Sequence, residues 1–466
     1  MKKRNSVFCF FLYILPLVLC FSYFPVISLG GNETMNFELS LPLIWLVMFD
    51  ALSLVMIIKK YRKEIFTKVF GNILWWLFPL FATFSICWSL NPLRGFLTVG
   101  VMWLLFFAVV SFYELRENLD AGFWKVFWRW FFGSSLLVCL WCVVQCILDV
   151  CGVPQEASLL CDGCVYQMFG FPHPNGFAIE PQFMGNLLLA PIIMSLYFSR
   201  KNKKYLVLFF VFLATLFLTF SRGAIYAAVV GLVCYDLLVW IKAPKSDKKA
   251  VLKNIVKTVG VFVLSFLFTL NLQGVLAAAS PTSDNYSDGV AKVINHLSLG
   301  VIDIRSGKDE GTDAPVENSD NVTPVTAVEN SDENAAVFDG YVAESTDTRV
   351  RLTRSALEIW RKDFKTVMVG VGIGGAGQAL YDNGLSPAPK EIVQNEYASL
   401  LLETGLTGVS LFVVIIVLAV KVILKNRKLS VVMLSLLVAY GVTILFFSGL
   451  PNALQVVLMV GLLVVA

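Results

Sequence analysis

The sequence predicts an all-α membrane protein, a polytopic bundle of about 12 transmembrane helices with one large outside loop that contains amphipathic helices. Three observations predict it. The 466 residues are 57% hydrophobic and only 15% charged, with a mean hydropathy of +0.73, whereas soluble domains carry about a quarter charged residues. Apolar runs long enough to cross a bilayer recur along nearly the whole chain. The basic residues fall in alternate connections, as the positive-inside rule requires of a multi-pass protein.

The runs are 7–29, 41–58, 70–90, 95–113, 126–150, 178–198, 204–220, 223–241, 254–276, 396–424, 429–448 and 453–466. The first has a basic start and an apolar core, as a signal peptide does, but its length favours an uncleaved helix. With the N-terminus in the cytoplasm, the inside segments hold 25 of the 37 basic residues. The short outside connections hold only Arg94 and Arg222. Both termini are therefore expected in the cytoplasm. The chain divides into an N-terminal bundle of about nine helices at 1–276, a loop at 277–395 and C-terminal helices at 396–466.

Most of the ten cysteines sit in apolar runs, where they behave as small core residues. Cys151, Cys161 and Cys164 cluster outside, where a structural disulfide is a better reading than a metal site, since no second CxxC pair or suitable histidine accompanies them.

The outside loop is far longer than an ordinary connection. From Asp303 to Thr348 it carries twelve acidic and two basic residues and reads as a solvated, flexible insert. Order returns with STDTRVRLTRSALEIWRKDF. Leu357, Trp360, Phe364 and Val367 form an apolar stripe, with Arg351, Arg354, Glu358, Arg361 and Lys365 on another face. An amphipathic helix over 345–367 on the membrane surface fits this pattern. In the following VGVGIGGAGQAL, Gly370, Gly372 and Gly375 have GxGxxG spacing. A dinucleotide site needs a preceding strand and a βαβ unit, and both are missing here. Tight turning and close backbone approach account for the glycines.

Four groups of residues carry candidate chemistry. Arg222, in LFLTFSRGAIYAAVVGLV, lies between two membrane runs, and an intramembrane cation normally marks a functional cavity. Its alternative is a snorkelling surface arginine. Arg351 and Arg354, one turn apart, are either solvated or the partners of Arg222 in a clamp for an anion, which planar guanidinium groups bind bidentately. Glu180 and His173, in HPNGFAIEPQF, stand at the outer mouth of a membrane run. Glu180 reads as a base, an anchor for a sugar hydroxyl or a structural ion-pair partner. The fourth group, Gln394, Asn395, Glu396, Tyr397 and Glu403, lies where the loop re-enters the membrane.

Together FSRGA, the R-x-x-R-x-A-L-x-I-W helix followed by GVGIGG, and QNEYASLLLETGLTGV resemble the O-antigen ligase and polysaccharide polymerase superfamily of bacterial inner membranes. The resemblance covers about residues 170–424 and implies a GT-C-like glycosyltransferase that needs neither cofactor nor metal. It implies a glycan donor on undecaprenyl pyrophosphate, with Arg222 and Arg351 or Arg354 on the pyrophosphate. It also implies a glycan or lipid A core acceptor, surrounding membrane lipids, and a flippase and chain-length regulator as further partners. Asn395, Tyr397 and Asn175 are the expected positioning residues. The family's histidine before the asparagine is Gln394 here, and an amide cannot take a proton. Glu180, Glu396 and His173 are then the candidate bases. FAIEPQF favours the polymerase branch over the ligase branch. A transporter of lipid-linked glycans or small solutes is the alternative of a different class, but its charges would gather near the bilayer midplane.

Overall fold

The computed structural model describes residues 6–22, 26–32, 35–119, 122–151, 167–168, 171–279, 290–291, 293–294, 297, 348–425, 429–447, 457–459 and 461–462. Its helices are α1 (Ser6–Cys20), α2 (Leu41–Tyr61), α3 (Ile73–Ser85), α4 (Pro92–Glu114), α5 (Phe123–Val150), α6 (Pro181–Ser199) and α7 (Lys204–Leu218). There follow α8 (Arg222–Lys242), α9 (Lys248–Ala279), α10 (348–360), α11 (Phe364–Val369), α12 (Ala376–Asp382), α13 (Glu396–Lys425) and α14 (Ser430–Thr443). Among the described residues seven helices are long and apolar enough to span a membrane, and four more are apolar but shorter. The chain is thus a multi-pass, all-α membrane protein.

One element departs from the expected runs. The first helix stops at Cys20, and β1 (Val26–Asn32) pairs antiparallel with β2 (Met35–Ser40) in a hairpin. Alternating polar residues and the Gly30–Gly31 pair suit a short ladder better than a continued helix. Of the expected run at 453–466, only five residues are described. The acidic insert lies outside the described residues, apart from its last residue, Thr348. So do Cys161 and Cys164, while Cys151 is an exposed free thiol.

Helix α6 is the hub. Leu188, Leu189, Ile192, Ile193 and Met194 are fully buried, because α5, α7, α8 and α14 surround it. Lipid tails are as apolar as leucine, so small residues that allow close contact do more than burial to bring membrane helices together. Gly185 on α6 faces α8 so closely that an added Cβ would stand 2.5 Å from the Ala224 Cβ. Further along, Gly231 on α8 meets the Ala439 Cβ of α14 at 2.8 Å and the Ile193 Cδ1 of α6 at 3.1 Å in the same sense. These three helices share one tight seam. At the end of the bundle away from Arg222, Lys242 donates to the Ser430 hydroxyl (2.9 Å) and Arg200 pairs with Asp236 (3.4 Å).

The amphipathic segment is two helices. α10 buries Leu352, Ala356 and Ile359 against Leu380, Val393 and Leu402, so its packed stripe is rotated from the expected one, and Phe364 stands 80% exposed. The break comes at Asp363, whose carboxylate accepts from the Thr366 amide (2.9 Å) and caps α11. The glycine-rich turn then threads between the α3–α4 connection and α13. The Val371 amide donates to the Leu402 carbonyl and the Gly372 amide to the Glu403 carbonyl, both at 2.9 Å. A Cβ on Gly370 would lie 2.3 Å from the Glu403 carbonyl. Close backbone approach is therefore what these glycines serve. Gly405, at φ 61°, bends α13 and presses against Met368 and Val369.

Gly405→Ala should weaken this lock, since a side chain there meets both an unfavourable φ and backbone at 2.5 Å. The backbone strain alone costs about 1–3 kcal/mol. Thermal melts of the purified protein should show a clear drop, while an alanine at Gly100, which faces open space, should not.

Candidate active site at the mouth of the bundle

Arg222 is the first residue of α8, and the turn before it is unusual. Helix α7 ends at Leu218, and Phe220 adopts φ 45°, a left-handed conformation that bulky residues rarely take. The strain, about 1–3 kcal/mol, persists where the surroundings fix it, and such sites are commonly functional. Here Phe220 is buried, and His173 crosses the turn with its Nε2 donating to the Thr219 carbonyl at 2.5 Å. Ser221 then caps α8, its hydroxyl accepting from the Ala224 amide (3.4 Å). The half-buried Arg222 lies within electrostatic reach of Tyr226, whose hydroxyl donates to the Leu297 carbonyl (2.5 Å).

The other residues reach the same mouth from three sides. Glu180 is the N-cap of α6, just outside the Gly185–Ala224 contact. Phe446, just past α14, packs on Gly223 with its Cβ 3.0 Å from where a side chain would begin. One turn away the Ile444 carbonyl accepts from the Glu396 amide (2.9 Å), which pins the start of α13. Gln394, two residues before, accepts from the Arg349 Nε through its Oε1 (2.8 Å). Arg349 closes the circle because its charge acts on Glu180. Glu180, Arg349 and Gln394 are therefore linked to one another, and the Gly185–Ala224 and Phe446–Gly223 contacts put the head of α8, with Arg222, at the same end of the bundle.

Electrostatics at this mouth are mixed. Glu180 reaches solvent, yet the protein round it raises its pKa above the ordinary carboxylate value, while the Arg349 charge pulls it down. A carboxylate whose pKa is raised is a stronger base than an ordinary one. His173 goes the other way. Burial pushes its pKa down to about 4, partly offset by the Thr219 hydrogen bond. It is neutral at pH 7 with one nitrogen committed to the turn, so its evident work is to hold the α7–α8 connection.

The remaining sequence candidates are placed as follows. Arg351 and Arg354 are both exposed, and neither has a partner among the described residues. Arg349, which the sequence reading passed over, sits at i−3 from Leu352 and i−7 from Ala356, on the packed side of α10. That spacing was the available signal, because an arginine at the open end of a buried stripe must face protein. Asn395 caps α13, accepting from the Ala398 amide (3.1 Å). The Tyr397 hydroxyl donates to the Gly441 carbonyl (2.8 Å). Glu396 is half-buried in the first turn of α13. Asn175 is buried and matched to Gln145 (3.1 Å) and to the Ala178 carbonyl (2.9 Å), within the loop below His173. Glu403 accepts from the Ala376 amide (3.2 Å) and fastens the glycine-rich turn.

Comparison with known proteins adds one finding. Residues 206–413 match the family model described as O-antigen ligase. The match starts in α7 and ends in α13, so it includes Arg222, Arg349 and Gln394 and leaves Glu180 upstream. No curated protein matches the chain.

The lowered His173 pKa has a sign that can be checked. The fold favours neutral imidazole, so its contribution is full above the unfolded value near 6.5 and is lost as pH falls toward about 4. Melting curves from pH 7.5 to 4.5 should show the parent losing stability relative to His173→Gln, which keeps a donor for Thr219 but does not titrate. Parallel curves would exclude this role.

Proposed function

We propose, from the match of residues 206–413 to the O-antigen ligase family model, that the chain is a membrane glycosyltransferase that polymerises undecaprenyl-pyrophosphate-linked repeat units. In this reading the mouth faces the periplasm at the outer face of the bacterial inner membrane, and the basic end faces the cytoplasm. One observation carries the proposal: Arg222 and Arg349 arrive at one mouth from separate elements, with a carboxylate beside them. Two guanidinium groups at a membrane edge suit an anion that can bridge them. A lipid pyrophosphate has the charge, the bidentate geometry and the membrane address.

The chemistry follows from these roles. An acceptor hydroxyl oxygen attacks the anomeric carbon, the bond from that carbon to the pyrophosphate oxygen breaks, and the pyrophosphate leaves with the bond's electrons. Arg222 and Arg349 stabilise the negative charge that grows on it, which is transition-state electrostatics without a metal. Glu180 takes the hydroxyl proton. Gln394 cannot act as a base; its carbonyl instead steadies the Arg349 guanidinium, and its amide N–H groups remain as donors. Positioning two lipid-borne reactants supplies the rest of the acceleration. FAIEPQF, whose glutamate is this Glu180, is why we assign the polymerase branch, with a glycan chain as acceptor in place of lipid A core.

Arg222→Met and Arg349→Met should each lower transfer by roughly 10²–10³-fold, as loss of a preorganised oxyanion contact does. Arg351→Met and Arg354→Met should change it little. Activity measured with purified lipid-linked substrate decides this, and a large loss at Arg351 or Arg354 would move the clamp. Gene deletion with analysis of surface glycans separates the branches: single repeat units on the surface mean a polymerase, and long polymer stranded on its lipid carrier means a ligase. Unchanged glycans with altered solute uptake would support transport.

A further inference from the structure

Just inside Glu180, helix α6 carries two amides that the fold leaves unmatched. Gln182 is 8% and Asn186 is 4% exposed. Gln182 Nε2 and both Asn186 amide atoms have no hydrogen-bond partner among the described residues. Leaving such groups buried and unmatched is costly, so proteins rarely do so without a function. The same region satisfies amides well where they are structural: Gln145 and Asn175 bond each other, and Gln145 accepts from the Gly176 amide (2.9 Å).

The direction of the pair follows from helix periodicity. Residues 182, 185, 186, 189 and 193 fall on one face of α6. On that face Gly185 meets Ala224 and Ile193 meets Gly231, so it looks toward α8 and its contact with α14. The facing turns of α8 carry Gly223, Ala224, Ala227 and Ala228, and Phe446 closes the seam above Gly223. Gln182 thus lies about half a turn and Asn186 nearly two turns inside Glu180 along α6, on the side that faces the first turns of α8.

We propose that Gln182 and Asn186 are the sugar-binding floor of this site, hydrogen-bonding ring hydroxyls of the sugar attached to the pyrophosphate. This rests on the glycosyltransferase reading. A neutral amide offers two N–H donors and a carbonyl acceptor, which matches neighbouring hydroxyls that both donate and accept. It is uncharged, so it discriminates sugar from phosphate, which the arginines hold. Two amides one turn apart span about 6 Å, the width of a pyranose ring. A site built to hydrogen-bond hydroxyls rejects ligands lacking them, because its polar groups are then left unpaired.

The test uses the full chain in nanodiscs, as parent, Gln182→Met, Asn186→Leu and the double variant. Two probes are titrated: undecaprenyl pyrophosphate alone, and the lipid-linked repeat unit extracted from cells lacking the gene. The parent should bind the glycan-bearing lipid more tightly. Each variant should lose roughly tenfold of that preference, with the affinity for bare lipid unchanged and the melting temperature equal or higher. Variants that keep the preference would overturn the proposal, as would a parallel loss of bare-lipid affinity and melting temperature, which marks a structural pair. A parent that binds both probes equally would overturn it too. If the parent binds neither lipid, the glycosyltransferase reading itself fails and takes the floor with it. Should Asn186→Leu not fold, Asn186→Ser, which keeps a polar group but not the amide's reach, is read by the same criteria.

Discussion

One close helix approach sets the geometry round the mouth. Gly185 on α6 and Ala224 on α8 meet at a distance that no larger side chain would permit. In a bilayer, where burial of apolar surface gives little net drive, such contacts determine which helix ends are level with one another. Five residues before Gly185 stands Glu180, and two residues before Ala224 stands Arg222. The contact therefore governs how a carboxylate and a guanidinium from different helices stand along the bundle. Widening this contact would shift Glu180 and Arg222 apart.

The long loop had to be returned to the same place, and the chain does so with backbone more than with side chains. The glycine-rich turn exchanges main-chain hydrogen bonds with Leu90, Leu402 and Glu403. Once it is seated, α10 lies along it with Leu352, Ala356 and Ile359 inward, and Arg349 is carried to Gln394. Opposite the loop, the left-handed Phe220 and the His173 hydrogen bond keep Arg222 at the head of α8. Both arginines are thus placed by rigid parts of the fold, as preorganised charge requires.

Much of this was legible in the sequence, because bilayer crossing leaves a strong signal in composition and run length. Arg222 was legible for the same reason, as a charge where lipid should exclude it. The hairpin at 26–40 was hidden because its first four residues, 26–29, continue the apolar run that begins at residue 7. Arg349 was hidden by its neighbours: with arginines at 349, 351 and 354, only the direction of the packed stripe separates them. Leu357, Trp360, Phe364 and Val367 suggested one direction, and the break at Asp363 allowed another. The roles of Asn175, Asn395 and Glu403 depend on partners distant in sequence, such as Gln145 and Ala376, which no local spacing discloses.

The main-chain character of the loop's attachment has an evolutionary side. A segment held by amides and carbonyls tolerates turnover of its side chains, provided Gly370, Gly372 and Gly405 remain. The exposed surface of α10, α11 and α12 can therefore drift to suit new glycans while the arginine it delivers stays in position. A lineage of such proteins would diversify its polymers by rewriting the outside of the loop and would leave its attachment to the bundle unchanged.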